Sequence, residues 1–211
     1  MKNLKDKNKL LLAMLMGSPL LLILVLQIGL DNAKATVDYF VAAAGLIAVS
    51  SAVLVMLSDI IPQSLKHKLV FLRLWNELPG HRCDKLCFSD PRLAEDELKA
   101  TWQNVFGDHV SKKQRNGLWY KHIYKPVMDS PQVQSAHQKF LLYRDATAGS
   151  LVIIILLAAW AWCEVSIPHL GELHPWAITI QGLFIITMLF CAQSNGNRMV
   201  VNATVVKTSG D

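Results

Sequence analysis

Three groups of residues in this chain have types and spacings that could do chemistry. Arg115 and His122 bracket the run Arg115-Asn116-Gly117-Leu118-Trp119-Tyr120-Lys121-His122. A separation of seven residues puts both on roughly one face of a helix, two turns apart. There a guanidinium can hold a phosphate while an imidazole carries a proton. The plainer reading is a solvated helix with Trp119, Tyr120 and Ile123 on its apolar face. His81, Cys83 and Cys87 form the second group, whose nitrogen and sulfur atoms suit zinc if His109 or His122 supplies a fourth ligand. No second ligand pair at metal spacing accompanies them, so the expectation is a loop with two reduced thiols and no metal. The third group is basic: Lys66, Lys68 and Arg73 directly after an apolar run, and Lys112 and Lys113 beside Arg115. Both clusters suit lipid head groups or an anionic partner. The chain has no glycine-rich phosphate loop, no nucleophile elbow and no convincing pair of carboxylates.

These groups depend on the elements that carry them, and composition says what those elements are. The chain is 52% hydrophobic with a mean hydropathy of +0.30, the balance of a small polytopic membrane protein rather than a soluble domain. Its net charge is +5 and its pI about 9.0. Cys163 and Cys191 lie in apolar runs and Cys83 and Cys87 in the polar middle, which is no framework for a secreted disulfide protein.

Four runs read as transmembrane helices: Leu10 to Leu30, Tyr39 to Ile61, Ser150 to Ile167, and Trp176 to about Ser194. The first has 21 residues, too many for the apolar region of a signal peptide, which runs to about 15. Pro19 inside it is tolerable as a kink. Short links, Asp31–Asp38 and Pro168–Pro175, imply two antiparallel hairpins. Lys and Arg number 20 in the N-terminus, middle segment and tail, against 1 in the two links. The positive-inside rule then puts both termini and the middle segment in the cytoplasm of a bacterial inner-membrane protein. Tyr39, Phe40, Trp162 and Trp176 fall where an aromatic belt would lie at the outer ends. Ala44, Ala48 and Ala52 make a small-residue stripe on the second span, fit for close packing within one subunit or between copies.

The division expected is an N-terminus (1–9), a transmembrane hairpin (10–61), a cytoplasmic helical domain (62–149), a second hairpin (150–194) and a tail (195–211). The fold class is all-α. In the cytoplasmic domain a helix over Ser64–Leu78 would bury Leu65, Leu69, Leu72 and Leu78, with Pro79-Gly80 as its turn. A second helix starts near Pro91 behind Ser89 or Asp90 and is closed by Gly107; a third runs from Ser111 to Tyr124 and stops before Pro126. Trp75, Phe88, Trp102, Phe106, Trp119, Tyr120, Tyr124, Phe140 and Tyr143 supply a core. The last helix starts with Ser130 as N-cap and Pro131 at the first position, tolerates Gly149, and reaches about Ile167 before Pro168 and Gly171 end it. It would be about 55 Å long, with roughly half in the bilayer. In the tail, Met199 to Val206 is rich in β-branched residues and could form a short strand.

The eight residues from Arg115 to His122 resemble the short motif of HEPN ribonucleases: Arg, a polar residue, five residues, then His. That resemblance implies a paired helical active site with Arg115 and His122 as its catalytic groups. The wider sequence favours another reading by elimination: a non-enzymatic sensor or scaffold that couples the membrane to a cytoplasmic protein, with no cofactor. A pore-forming effector that depolarises the cell, lined by Ser50, Gln181 and Thr187, is one alternative; a membrane-tethered ribonuclease is the other. The expected partners are membrane lipids, further copies of the chain and a cytoplasmic protein, with nucleic acid less favoured. In outline the plan is similar to membrane components of bacterial anti-phage defence systems, those of the Kiwa type among them. The likeness is one of architecture and not of motif.

Overall fold

The structure, a computed structural model, describes residues 7–28, 45, 53, 56, 58–164 and 172–210. Every regular element among them is helical. Three helices are long and apolar enough to cross a membrane. They are α1 (Lys9–Ile28), α8 (Pro131–Trp162) and α9 (Trp176–Ser209). Between α1 and α8 come α2 (Gln63–Phe71), a 3₁₀ turn (Pro79–Arg82), α3 (Cys83–Phe88), α4 (Glu95–Thr101), α5 (Gln103–Phe106) and α6 (Lys112–Trp119). A π-helical segment (Tyr120–Tyr124) and a short α7 (Lys125–Val127) complete the series. The expected second span, Tyr39 to Ile61, lies outside the described residues apart from isolated positions and its last turn, and Ala44, Ala48 and Ala52 are among those left out.

The chain divides into two compact units: Met1–Lys66 with Leu142–Leu189, and His67–Leu141 with Phe190–Asp211. In the first unit the packing is by small and flexible residues. Met16, wholly buried, lies where a Cβ on Gly149 would be, and Ser58 borders the same spot. Gly149 is therefore more than a tolerated interruption of α8: it leaves room for a side chain of α1. Leu12, Ile23, Ala146, Ile153, Leu157, Ala177 and Met188 fill the rest of this core. Leu22, Ile155 and Leu183 meanwhile point outward. Gln27, near the end of α1, accepts a hydrogen bond from the His174 N–H at 2.8 Å and donates to the Glu172 carbonyl. It ties α1 to the residues preceding α9, where the His174 ring accepts from the Trp176 N–H at 3.2 Å.

The second unit is built around aromatic rings. Phe88 and Phe106 pack with centroids 5.8 Å apart, and Trp119 and Tyr124 at 5.5 Å. Val105, Ile123, Val133, Val200 and Ala203 close around them. The expected core is corrected at Trp75 and Tyr120, which are exposed, and at Leu65 and Leu72, which are exposed too. α2 ends at Phe71, seven residues short of Leu78, and buries Lys66, Val70 and Phe71 instead. Pro79-Gly80 is a turn as expected. It also packs down on α6, because a Cβ on Gly80 would sit 2.8 Å from the Trp119 ring.

Three further expectations change. Asp90 accepts from the Arg92 backbone in a turn rather than capping a helix, so α4 starts at Glu95, with Glu95, Asp96 and Glu97 in a first turn whose dipole favours acid. The helix after Ser111 does not stop before Pro126. It widens into the π segment, the kind of local adjustment that lets a helix take in a residue with no N–H and a ring that would crowd the carbonyl four residues back. The residues from Met199 to Val206 are helical and not a strand, because they lie inside α9 and bury Val200, Ala203 and Thr204 in the aromatic core. Packing outweighs the β preference of the valines. At the start of α8, the Ser130 carbonyl accepts from Gln134 at 2.9 Å, but its hydroxyl has no partner, so Ser130 caps with its backbone alone. α8 ends at Trp162, with Glu164 in the left-handed region (φ 49), short of the expected Ile167.

Candidate functional site

The first unit holds a buried charge cluster that the sequence reading did not find. One turn beyond Pro62, Lys66 points inward, and its Nζ lies 3.0 Å from Asp145 Oδ1. From the neighbouring position on α8, Arg144 donates to the same oxygen through Nε at 3.0 Å and Nη2 at 2.8 Å. Lys66 is wholly buried and Arg144 and Asp145 nearly so. The expectation that Lys66 meets lipid head groups is thereby corrected: its ammonium is held inside by a carboxylate. Two cations meeting one carboxylate away from water offset part of the cost of burying all three charges. The signal that could have shown this is Asp145 itself, the last charged residue before a run with none until Glu164.

Thr147, Ser150 and Gln181 extend the polar interior of this unit. Thr147 donates to the Tyr143 carbonyl at 2.8 Å, while Ser150 Oγ and Gln181 Oε1 are buried with no hydrogen-bond partner. Gln181 faces inward and Thr187 turns its hydroxyl back to the Leu183 carbonyl at 2.8 Å. Ser50 lies outside the described residues.

In the second unit Arg115, His122 and the two thiols are drawn into different contacts. Arg115 is buried, bonded to Asp84 and, through Nη2, to the Val110 carbonyl at 3.0 Å. Its guanidinium thus fastens α6 to α3 and to the loop before α6. His122 sits beyond the start of the π segment, which breaks the α-helical register that would have aligned it with Arg115. Cys83 and Cys87 are core residues. Burial pushes the Cys83 thiol far above its ordinary range and lifts that of Cys87 to about 12. Cys87 donates to Thr204 Oγ1 at 3.3 Å. His81 turns away to the Lys112 carbonyl, 2.8 Å from its Nδ1. Among the described residues no three His, Cys, Asp or Glu side chains come together as metal ligands. The expected loop is corrected: His81 lies in the 3₁₀ turn, and Cys83 and Cys87 lie in α3 with both thiols in the core.

Lys112 and Lys113 are exposed in the first turn of α6, where the helix dipole disfavours cations. Lys68 is half-buried and Arg73 exposed. Beside α6 an open groove of about 550 Å³ is lined by Asn104, His109, Gln114, Gly117 and Lys121. Nothing stands within 4 Å of where a Cβ on Gly117 would be, so this glycine leaves the groove open. Burial lifts the Tyr124 hydroxyl to about 12, and it shares a 2.6 Å hydrogen bond with the His137 ring. No protein-family model, curated protein or solved structure matches this chain.

Proposed function

We propose that this chain is a non-enzymatic sensor or scaffold of a bacterial inner membrane, coupling the bilayer to a cytoplasmic protein partner. In this reading it has four spans, with both termini and residues 62–149 in the cytoplasm, and it assembles as a homo-oligomer. The observation that supports it is that α8 and α9 each contribute residues to both units, so the same helices that carry the apolar spans also build the aromatic core. A bias on the apolar part then has a hydrogen-bonded route to the polar part. The engagement of Arg115 by Asp84 supports a role without catalysis. The defence setting rests on architecture alone.

The test is purification in mild detergent with native mass spectrometry of the intact complex. A soluble protein present in fixed stoichiometry, and lost when Lys112 and Lys113 are changed to Glu, supports the reading. A self-oligomer alone, conducting ions when reconstituted, overturns it in favour of a pore.

A further inference from the structure

Leu72, Leu74 and Trp75 stand out of the second unit at 70%, 66% and 79% exposure. Elsewhere the described part of that unit exposes large apolar side chains only singly, at Tyr120, Met128 and Phe190. The backbone that presents them is unfavourable as well. α2 ends with the Arg73 N–H bonded to the Lys68 carbonyl at 3.2 Å, which places Leu72 at the left-handed position (φ 50) of a Schellman turn. Glycine is the usual residue there, since a side chain at positive φ is strained. Leucine gains no burial in return. Two features that each destabilise the folded chain thus coincide in four consecutive residues.

The charge around the turn is positive. Arg73 is exposed, the Arg82 guanidinium lies 5.3 Å over the Phe71 ring, and neither has an ion-pair partner among the described residues. Burial, and then the charge of Arg73, hold Arg82 below its ordinary pKa, so the two cations feel each other. Glu77 is the one acidic residue between Lys68 and Arg82. The tether is short: ten residues separate Ile61 from Leu72, nine of them in α2, which is about 20 Å of chain. Tryptophan and leucine interleaved with arginine, close to the end of an apolar run, is the pattern of a segment seated at the head-group boundary.

We propose that the Leu72–Trp75 turn is an interfacial anchor, inserting Leu72, Leu74 and Trp75 into an anionic bilayer surface with Arg73 at the lipid phosphates. This rests on the reading that the apolar run ending at Ile61 spans a bilayer. The experiment uses the full chain in nanodiscs with and without phosphatidylglycerol, in a Cys163→Ser/Cys191→Ser background. A nitroxide is attached at Trp75→Cys or, as a control on the second span, at the exposed helical position Met56→Cys. Collision with oxygen, which partitions into lipid, is compared with collision with a water-soluble nickel chelate.

The expected result is an oxygen-to-nickel ratio at position 75 several-fold above that in water and below that at position 56. It should fall towards the water value when Arg73→Glu is added or phosphatidylglycerol is omitted. A water value at 75 with a deep value at 56 overturns the anchor and leaves the span standing. Protection from both reagents at 75 means that protein covers the turn, which also overturns it. A water value at 56 removes the span and the anchor together.

Discussion

The two units of this chain sort their side chains in opposite ways. In the second, rings and aliphatic groups are inside, and of the buried polar residues among those described only Arg115 and Thr204 belong to it. The rest, among them Ser58, Lys66, Arg144, Asp145, Thr147, Ser150 and Gln181, belong to the first, whose large apolar side chains such as Met14, Leu22, Ile155, Leu156 and Leu183 face outward. A protein in water has no reason for the second arrangement. In lipid it is the economical one, because apolar groups lose nothing by facing acyl chains and polar groups must find partners inside. The packing of the first unit is thus compatible with lipid contact on grounds separate from the charge counts in the loops.

Removing Asp145 should give the largest effect. Asp145→Ala removes the carboxylate that two buried cations share, which costs about 3–5 kcal/mol, against under about 1 kcal/mol for Asp90→Ala on the surface of the other unit. Unfolding of the two variants in detergent, followed by circular dichroism, measures both. Replacing Lys66, Arg144 and Asp145 together with Met, Met and Leu should restore part of the loss, since these three side chains then carry no desolvation penalty. If the triple variant is no better than Asp145→Ala, the cluster has a role beyond charge balance.

Much of this contrast was legible in the residues, and the rest was hidden for physical reasons. The runs Leu10–Leu30 and Trp176–Ser194 carry their helices openly, because a bilayer demands length and apolarity whatever the neighbours are. The aromatic residues from Phe88 to Tyr124 likewise announce a core. The helical state of Met199 to Val206 was not legible, since local valine propensity points to a strand and only contact with Cys87 and its neighbours reverses it. The fate of Lys66 was hidden in the same way, because nothing next to it in sequence says that Asp145, 79 positions away, is its partner. Arg115 and His122 looked paired by spacing, and the widened helix before Pro126 undid that spacing.

Two glycines sharpen the comparison at the next level of energy. Gly80→Ala in the second unit drives a methyl group against the Asn116 side chain and to within 2.8 Å of the buried Trp119 ring, a bulky group in a packed core. Overpacking of that kind costs about 1–3 kcal/mol. Gly149→Ala in the first unit is crowded by the sulfur and terminal methyl of Met16, the far end of a flexible side chain, while Ser58 Cβ at 3.8 Å is an ordinary contact. Its expected change is near zero, as displacement of Met16 offsets the gain of up to about 1 kcal/mol from removing a helix-interior glycine. Thermal midpoints of the two variants should therefore separate by several degrees, with Gly80→Ala the lower. Equal midpoints would mean that the ring in the aromatic core yields as readily as the thioether.

The smallest effect belongs to the exposed pair at the edge of the second unit. Arg92 donates to Asp90 through Nε at 2.8 Å and Nη2 at 3.0 Å, and these bonds hold the Asp90 carboxyl below its ordinary pKa. A carboxylate whose folded pKa is lowered stabilises the protein at pH above the unfolded value, near 4, and loses that contribution as pH falls through the folded value. The pair is half-open to water, so its whole contribution is held under about 1 kcal/mol. Asp90→Asn should therefore lower stability by a few tenths of a kcal/mol at pH 7, with the difference from the parent chain shrinking as pH falls below about 4 and also shrinking in high salt. The Lys66–Asp145 cluster, shielded from solvent ions, should show no such salt dependence under the same titration, and a matched response in both would contradict the opposite sorting of the two units.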